Sequence, residues 1–156
     1  MSEKKRETAI TVSACLITTL LLILFVPKKR IREAHVAFLF QQVITWFFGL
    51  LVVEKGFIKY PFRMFFKKAV KSSFVFEYYI FPAFTALYNI HYPEKKPFFL
   101  KVLYTASFSG LIATLEKMVE KKTSLISYKK WNPVVSFLTM SMAYYVSRLY
   151  VRWFLS

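Results

Sequence analysis

Long apolar runs alternate with short polar clusters along the whole chain. A helix that crosses the hydrocarbon core of a bilayer needs about 20 apolar residues, because each residue advances it by about 1.5 Å. Five stretches approach this length, bounded by proline, by charged residues or by an N-cap asparagine followed by proline. They are residues 8–26, 34–53, 74–90, 98–115 and 132–150. The pattern predicts an all-α fold, an integral membrane helical bundle that forms one domain over residues 1–156.

The composition agrees with this pattern, since 56% of the residues are hydrophobic and 20% are aromatic. The net charge of +15 comes from short clusters between apolar runs. Nucleic-acid-binding proteins carry such charge on an otherwise polar surface, so anionic lipid headgroups are the expected partner and nucleic acid is not. The first run is too long for a secretory signal and lacks a small-residue cleavage site, which predicts an uncleaved span. The single cysteine, Cys15, excludes an intramolecular disulfide.

The distribution of basic residues predicts an orientation. With five spans, the N-terminus, the 54–73 segment and the 116–131 loop lie on one side, and most of the 23 Lys and Arg residues belong to these three segments. The positive-inside rule therefore places the N-terminus in the cytoplasm. The basic cluster KKRIR, beside the first span, opposes this assignment.

The segment at about 55–73 is basic with a regular spacing. Its basic residues recur at every fourth position: Lys55, Lys59, Arg63, Lys67 and Lys71. The spacing predicts a basic amphipathic helix in the headgroup region, divided near Pro61, that contacts anionic lipid. The alternative is an ordinary cytoplasmic loop, which the positive-inside rule alone would make basic.

Three glutamates are expected at similar depth near the N-terminal side. Glu54 ends the second span, Glu77 lies about one turn into the third, and Glu116 ends the fourth. Ionisable residues within spans often mark ion or proton pathways, so these three form a candidate ion or proton site. The alternative is structural: each carboxylate reaches the interface or pairs with a lysine and orients its helix.

A second polar set and several small residues predict helix packing. The candidate polar packing residues are His35, Gln42, Asn89, His91 and Arg148. Such side chains often hydrogen-bond between helices. Small residues form a stripe on the fourth span, Ala106, Gly110 and Thr114, and another on the fifth, Ser136, Thr139, Ala143 and Ser147. These stripes allow close helix approach within a bundle or a homo-oligomer. Pro82 is expected to kink the third span by removing a hydrogen bond to the Tyr78 carbonyl. No metal-ligand spacing, phosphate loop, GxSxG or CxxC motif occurs, so no metal, cofactor or catalytic residue is predicted.

Four blocks carry a resemblance: FLFQQVITWFFGLLVVEKG, SSFVFEYYIFPAFTALYNIHYPE, LISYKKWNP and SRLYVRWF. Together they resemble a family of small multi-pass membrane proteins of spore-forming Firmicutes with no assigned biochemical function. The resemblance covers about residue 30 to the end and implies a bacterial cell-membrane protein of helical architecture. The matching positions are Trp46, Glu54, Glu77, Pro82, Asn89, Glu116, Tyr128, Trp131, Arg148 and Trp153. It implies no reaction, ligand or catalytic residue.

Two main functions follow as hypotheses. The first is a non-enzymatic structural or accessory component that acts through helix packing and contact with anionic lipid, alone, in a homo-oligomer or with another membrane protein. The second is a small cation or proton transporter or channel subunit that uses Glu54, Glu77 and Glu116. A lipid-modifying enzyme with His35 or His91 as a base is a third alternative, without a supporting motif.

Overall fold

The fold is a bundle of helices, given by a computed structural model that describes residues 3–65 and 73–156. Within these residues the five helices are α1 Glu3–Phe25, α2 Ile31–Glu54, α3 Phe81–Ile90, α4 Phe98–Lys122 and α5 Pro133–Leu155. A 3-10 turn, Lys28–Arg30, precedes α2, and a π-helical turn, Phe76–Ile80, leads directly into α3. The prediction of a helical fold with five main helices is confirmed for the described residues.

Three helical stretches among the described residues are long and apolar enough to cross a membrane: Lys4–Phe25, Lys28–Glu54 and Phe98–Lys122. The other two differ from them in length or polarity. Helical backbone over residues 74–90 extends only about 25 Å, short of a hydrocarbon core about 30 Å thick. The last turns of α5 carry Arg148 and Arg152.

Local sequence sets the helix ends. The Asn132 side chain accepts a hydrogen bond from the Val135 amide at 3.0 Å, and Pro133 occupies the first turn of α5. Pro97 likewise precedes α4. Gly56 follows α2 with φ of +67°, the left-handed conformation that commonly ends a helix.

A two-stranded antiparallel sheet closes one end of the bundle, which we call the sheet end. Strand β1, Ile58–Lys59, pairs with β2, Ser127–Tyr128, so that Ile58 lies opposite Tyr128. The Phe62 amide also donates to the Ser124 carbonyl at 3.0 Å. The start of α1 joins this end, because the buried Glu7 carboxylate accepts from the Ser124 amide at 3.2 Å.

The sheet corrects the prediction of an amphipathic helix at 55–73. Residues 55–65 form a turn, strand β1 and bends, because Gly56 ends α2 and Pro61 cannot continue a helix hydrogen-bond pattern. Lys55 and Lys59 are exposed and Arg63 is half-buried, so they do not share a helical face. Lys67 and Lys71 lie outside the described residues.

Replacing Gly56 with alanine is expected to destabilise the protein by about 1–2 kcal/mol. No atom lies within 4 Å of the added Cβ, so the cost comes from the left-handed backbone alone. Gly110→Ala is the matched control, because its Cβ would sit in a helix 4.0 Å from the Phe137 ring and should be neutral or stabilising. Unfolding of the purified variants in a mild detergent, followed by circular dichroism, measures both. Equal effects would contradict a backbone origin.

Helix α3 is the central helix of the bundle. Nine of its ten residues are buried; only Phe84 is partly exposed. Tyr88 lies at the middle of an aromatic cluster, with its ring centroid 4.7 Å from that of Tyr144 and 5.3 Å from that of Tyr104. Its hydroxyl lies 2.8 Å from the Thr105 hydroxyl. The other helices therefore carry most of the outer apolar surface.

The small residues of α4 and α5 lie largely at contacts within the chain. Ser136 and Ser147 of α5 are buried, and Gly110 of α4 faces Phe137 of α5. Small side chains at these positions let the helices approach closely. Part of the stripe predicted on α5 therefore contributes to packing inside the bundle, whereas Thr139 of α5 and Thr114 of α4 are exposed.

Candidate functional site

A cavity of about 420 Å³ lies toward the sheet end, among α2, the π-helical turn, α4 and α5. Its walls are mainly apolar and aromatic. Within the described part of the chain, its ionisable lining residues are Glu77, Glu116 and Tyr60. Sites for small molecules are typically concave, mostly apolar and supplied with a few converging polar groups, and this cavity has that character.

Glu77 is held against α2 by a contact that only glycine permits. Glu77 is 2% exposed. A Cβ added to Gly49 would lie closer than 3.0 Å to Cδ and both carboxylate oxygens of Glu77. The π-helical turn Phe76–Ile80 carries Glu77 and ends two residues before Pro82. Such turns occur often at functional sites.

A side chain of helix α2 makes a hydrogen bond to the backbone beside Glu77. Pro82 has no amide hydrogen to offer the Tyr78 carbonyl, and Gln42 Nε2 of α2 donates to that oxygen at 2.6 Å. This hydrogen bond links α2 to the π-helical turn. It gives Gln42 an interhelical role of the kind that the sequence suggested.

Glu116 enters the cavity from α4, near hydroxyl groups of the sheet end. The hydroxyls of Ser136 and Tyr128 interact with its carboxylate. Its Oε2 atom is buried without a hydrogen-bond partner among the described residues. The Trp131 indole donates to Ser136 Oγ at 2.7 Å, which fixes this hydroxyl beside the cavity.

Tyr60 follows strand β1 and lines the same cavity. Burial raises the pKa of its phenol well above the usual value, and the charges of Glu77 and Glu116 raise this pKa further. The phenol therefore stays protonated at neutral pH and supplies a hydrogen-bond donor near the two carboxylates. Sequence reasoning missed Tyr60, because its position depends on the turn at Gly56 and the pairing of β1 with β2.

Gln41 contributes a buried amide to the cavity wall. Gln41 is 0% exposed, and its Nε2 donates a hydrogen bond to Thr45 Oγ1 at 2.9 Å. Its Oε1 atom lacks a hydrogen-bond partner among the described residues. Sequence reasoning selected Gln42 and missed Gln41, although a polar pair within an apolar run was the available signal.

A second cavity, of about 340 Å³, lies on the α1 side of the π-helical turn. Tyr60, Phe76 and Glu116 line both cavities. These three side chains therefore form a partition between an α1-side cavity and the cavity that contains Glu77.

Glu54 does not join the other two glutamates. It is exposed at the end of α2 and is absent from the lining, which corrects the expectation of a three-carboxylate cluster. Gly49 and Val52 of α2 face the cavity, and Glu54 lies two residues, about 200°, beyond Val52 on the helix. Its side chain consequently points away.

The predicted polar packing residues beyond Gln42 lie mainly at the opposite end of the bundle. Asn89 Nδ2 donates to Ser147 Oγ at 3.0 Å, and His91 Nε2 lies 2.9 Å from the Phe25 carbonyl oxygen. His35 is exposed on α2 and does not face the bundle, which corrects its assignment to packing. The buried neighbours Ala34 and Ala37 occupy that contact instead.

Arg148 organises this opposite end, which we call the ion-pair end. Its guanidinium donates to Glu94 Oε2 at 2.7 and 3.2 Å and lies 3.7 Å from Glu33. It also lies 4.9 Å from the Tyr92 ring centroid, a cation–π distance. The network connects α2, α5 and the loop after α3, so its clearest role is structural.

No family model, curated protein or solved structure matches the chain. The resemblance to the family of spore-forming Firmicutes therefore stays a prediction.

Proposed function

We propose that the protein is a small carrier or channel subunit of a bacterial cell membrane, in which Glu77 and Glu116 bind a proton or another monovalent cation. In this proposal all five helices cross the bilayer and the N-terminus is cytoplasmic. The observation that carries the proposal is that two carboxylates from separate helical segments line one largely apolar cavity.

The burial of α3 supports five spans. Because its side chains contact other helices rather than the surroundings, a short central helix does not need to match the bilayer thickness by itself. The bundle also places its charged networks at its two ends. Arg148 and Glu94 lie at the ion-pair end, and Lys55 and Lys59 are exposed at the sheet end, where they would contact anionic headgroups.

Electrostatics supports a cation or proton as the bound species. Transfer of a carboxylate into an apolar site is costly unless a positive charge, a proton or hydrogen bonds compensate it. Two carboxylates at one cavity increase this demand, because ionisation of each disfavours ionisation of the other. Binding of a proton or cation lowers that cost, and its release restores the charged pair.

A structural or accessory role is the second candidate, and one observation favours it. The outer face of α1 presents a continuous apolar surface that includes Leu16, Leu20 and Ile23. Lipid or another membrane protein would cover this face. The α5 stripe supports self-association only in part, because Ser136 and Ser147 are buried inside the chain while Thr139 is exposed.

Flux through proteoliposomes tests the leading proposal. With an imposed pH or potassium gradient, the protein is expected to increase proton or potassium flux. Glu77→Gln and Glu116→Gln should each reduce the added flux at least about tenfold, as expected when a required charge is lost. Glu54→Gln is the matched control, because Glu54 lies outside the cavity and its loss should leave flux unchanged. Equal flux from all three variants and the parent protein would overturn the proposal.

A further inference from the structure

Several buried hydrogen-bond acceptors line the cavity beside the Tyr60 donor. Glu77 and Glu116 contribute carboxylates, and the Oε1 atom of Gln41 is a fully buried acceptor without a partner among the described residues. A buried acceptor left unsatisfied typically costs about 1–3 kcal/mol. A bound group with several N–H donors would remove this cost for Gln41 Oε1 and would also reach Glu116 Oε2, which is likewise buried without a partner among the described residues.

The walls and the mouth of the cavity suit an apolar body. Phe76, Phe81 and Trp131 line it. At its mouth, Phe48 of α2 is 56% exposed and Met142 of α5 is 70% exposed, and both lie on the outer apolar surface of the bundle. The opening between α2 and α5 therefore faces the side of the bundle that lipid would surround, which favours entry of a lipophilic molecule.

We infer that the cavity binds a lipophilic primary ammonium ion, with its NH₃⁺ group among Glu77, Glu116 and Gln41 and its apolar part against the aromatic wall. A primary ammonium carries three donors for these acceptors. The inference rests on the proposed function and specifies its substrate class. The volume of about 420 Å³ lies within the usual 300–1,000 Å³ range of small-molecule pockets.

A bare divalent metal ion suits the site less well. Calcium takes six to eight oxygen ligands, and zinc takes four ligands that include histidine or cysteine. Within residues 3–65 and 73–156, no cluster of three His, Cys, Asp or Glu side chains is placed to hold a metal. The apolar walls would also leave most of such an ion without ligands.

Trp131 supplies a direct optical readout, because it lines the cavity. Trp46→Phe and Trp153→Phe leave it as the only tryptophan, since the chain has three. The full chain is placed in bilayer discs of zwitterionic lipid, which removes attraction to anionic headgroups. Quenching is titrated with 4-bromophenethylammonium, its N,N,N-trimethyl analogue and 4-bromophenethyl alcohol, which share the quenching ring and differ at the head group.

The primary ammonium is expected to quench Trp131 saturably, at a concentration at least about tenfold lower than the trimethyl analogue, which has no N–H donor. The alcohol should bind still more weakly. Gln41→Leu and Glu116→Gln should each weaken ammonium binding about tenfold, and Glu54→Gln should not change it. Retained helical circular dichroism and unchanged Trp131 emission without ligand verify the fold of each variant.

Equal binding of the alcohol, or of the trimethyl analogue, would overturn the inference. So would ammonium binding that neither Gln41→Leu nor Glu116→Gln alters. If proton or potassium flux requires Glu77 but no saturable ammonium binding is seen, the ammonium ligand is rejected and the carrier or channel proposal stands. Loss of both the flux effect and the binding effect would reject both.

Discussion

Gly49→Ala is expected to abolish the flux and the ligand binding that depend on Glu77. The added methyl group would occupy the space of the Glu77 carboxylate, whose three terminal atoms lie closer than 3.0 Å to the new Cβ position. Glu77 must then rotate out of the cavity wall or push the π-helical turn away from α2. Overpacking of this kind typically costs about 1–3 kcal/mol, so the variant should also be less stable.

Two variants separate the local clash from a general effect of alanine. Gly110→Ala adds the same methyl group to a helix where the nearest side-chain atom is 4.0 Å away, and it should keep normal flux. The double variant Gly49→Ala, Glu77→Ala removes the colliding carboxylate and should recover stability without recovering flux. Flux and stability in Gly49→Ala equal to those of the parent protein would show that Glu77 does not rest on Gly49.

Arg148→Leu is expected to lower the free energy of unfolding by about 2–4 kcal/mol. The Arg148 side chain is 13% exposed and bridges Glu33 and Glu94, so its loss leaves both carboxylates without this partner. Arg152→Leu is the matched control on the same helix. Its side chain is 61% exposed, and its ion pair with Glu94 at 3.0 Å should contribute less than about 1 kcal/mol.

The same network predicts how stability depends on pH. Partial burial raises the pKa of Glu94, but its hydrogen bond to Arg148 and the charges of Arg148, Arg152 and Lys101 lower it more, so the net pKa is below the usual 4.5. The resulting stabilisation is present above about pH 4.5 and is lost as the pH falls through the folded-state pKa. Unfolding of the parent and Arg148→Leu in detergent between pH 7 and pH 3 measures this. Their difference in stability should shrink at the acid end, and a difference that grows there would contradict the assigned network.

The helices were predictable because apolar length and end signals act locally. Asn132 and Pro133 specify the start of α5 within the sequence itself, and Pro97 does so for α4. The path after α2 was not predictable from spacing. Lys55, Lys59 and Arg63 recur at a helical interval, but Gly56 and the pairing of β1 with a strand about 70 residues later determine the backbone there.

The site was predictable only in part, because helix rotation decides which polar side chains face inward. Glu77 and Glu116 both line the cavity, as expected from their similar predicted depth in the membrane. Glu54 does not line it, because its position around helix α2 turns its side chain away. On a straight helix a seven-residue interval drifts by about 20°, so His35 is rotated by about 40° from Gly49, fourteen residues later, and is exposed while Gly49 faces Glu77. Gln41 faces the cavity for the same rotational reason, and only the packed structure distinguishes it from Gln42.

Charge-selective modification of single cysteines tests the cavity most directly. Cys15 is replaced by alanine, and a single cysteine is then placed at position 54, 77 or 116. The rate at which each cysteine reacts is measured with two methanethiosulfonate reagents, the cationic aminoethyl and the anionic sulfonatoethyl compound. The remaining carboxylate should favour the cationic reagent at 77 and 116, so that the cation-to-anion rate ratio there exceeds the ratio at 54 at least about tenfold. The same ratio at all three positions, or a cysteine at 77 that neither reagent reaches, would contradict a shared acidic cavity.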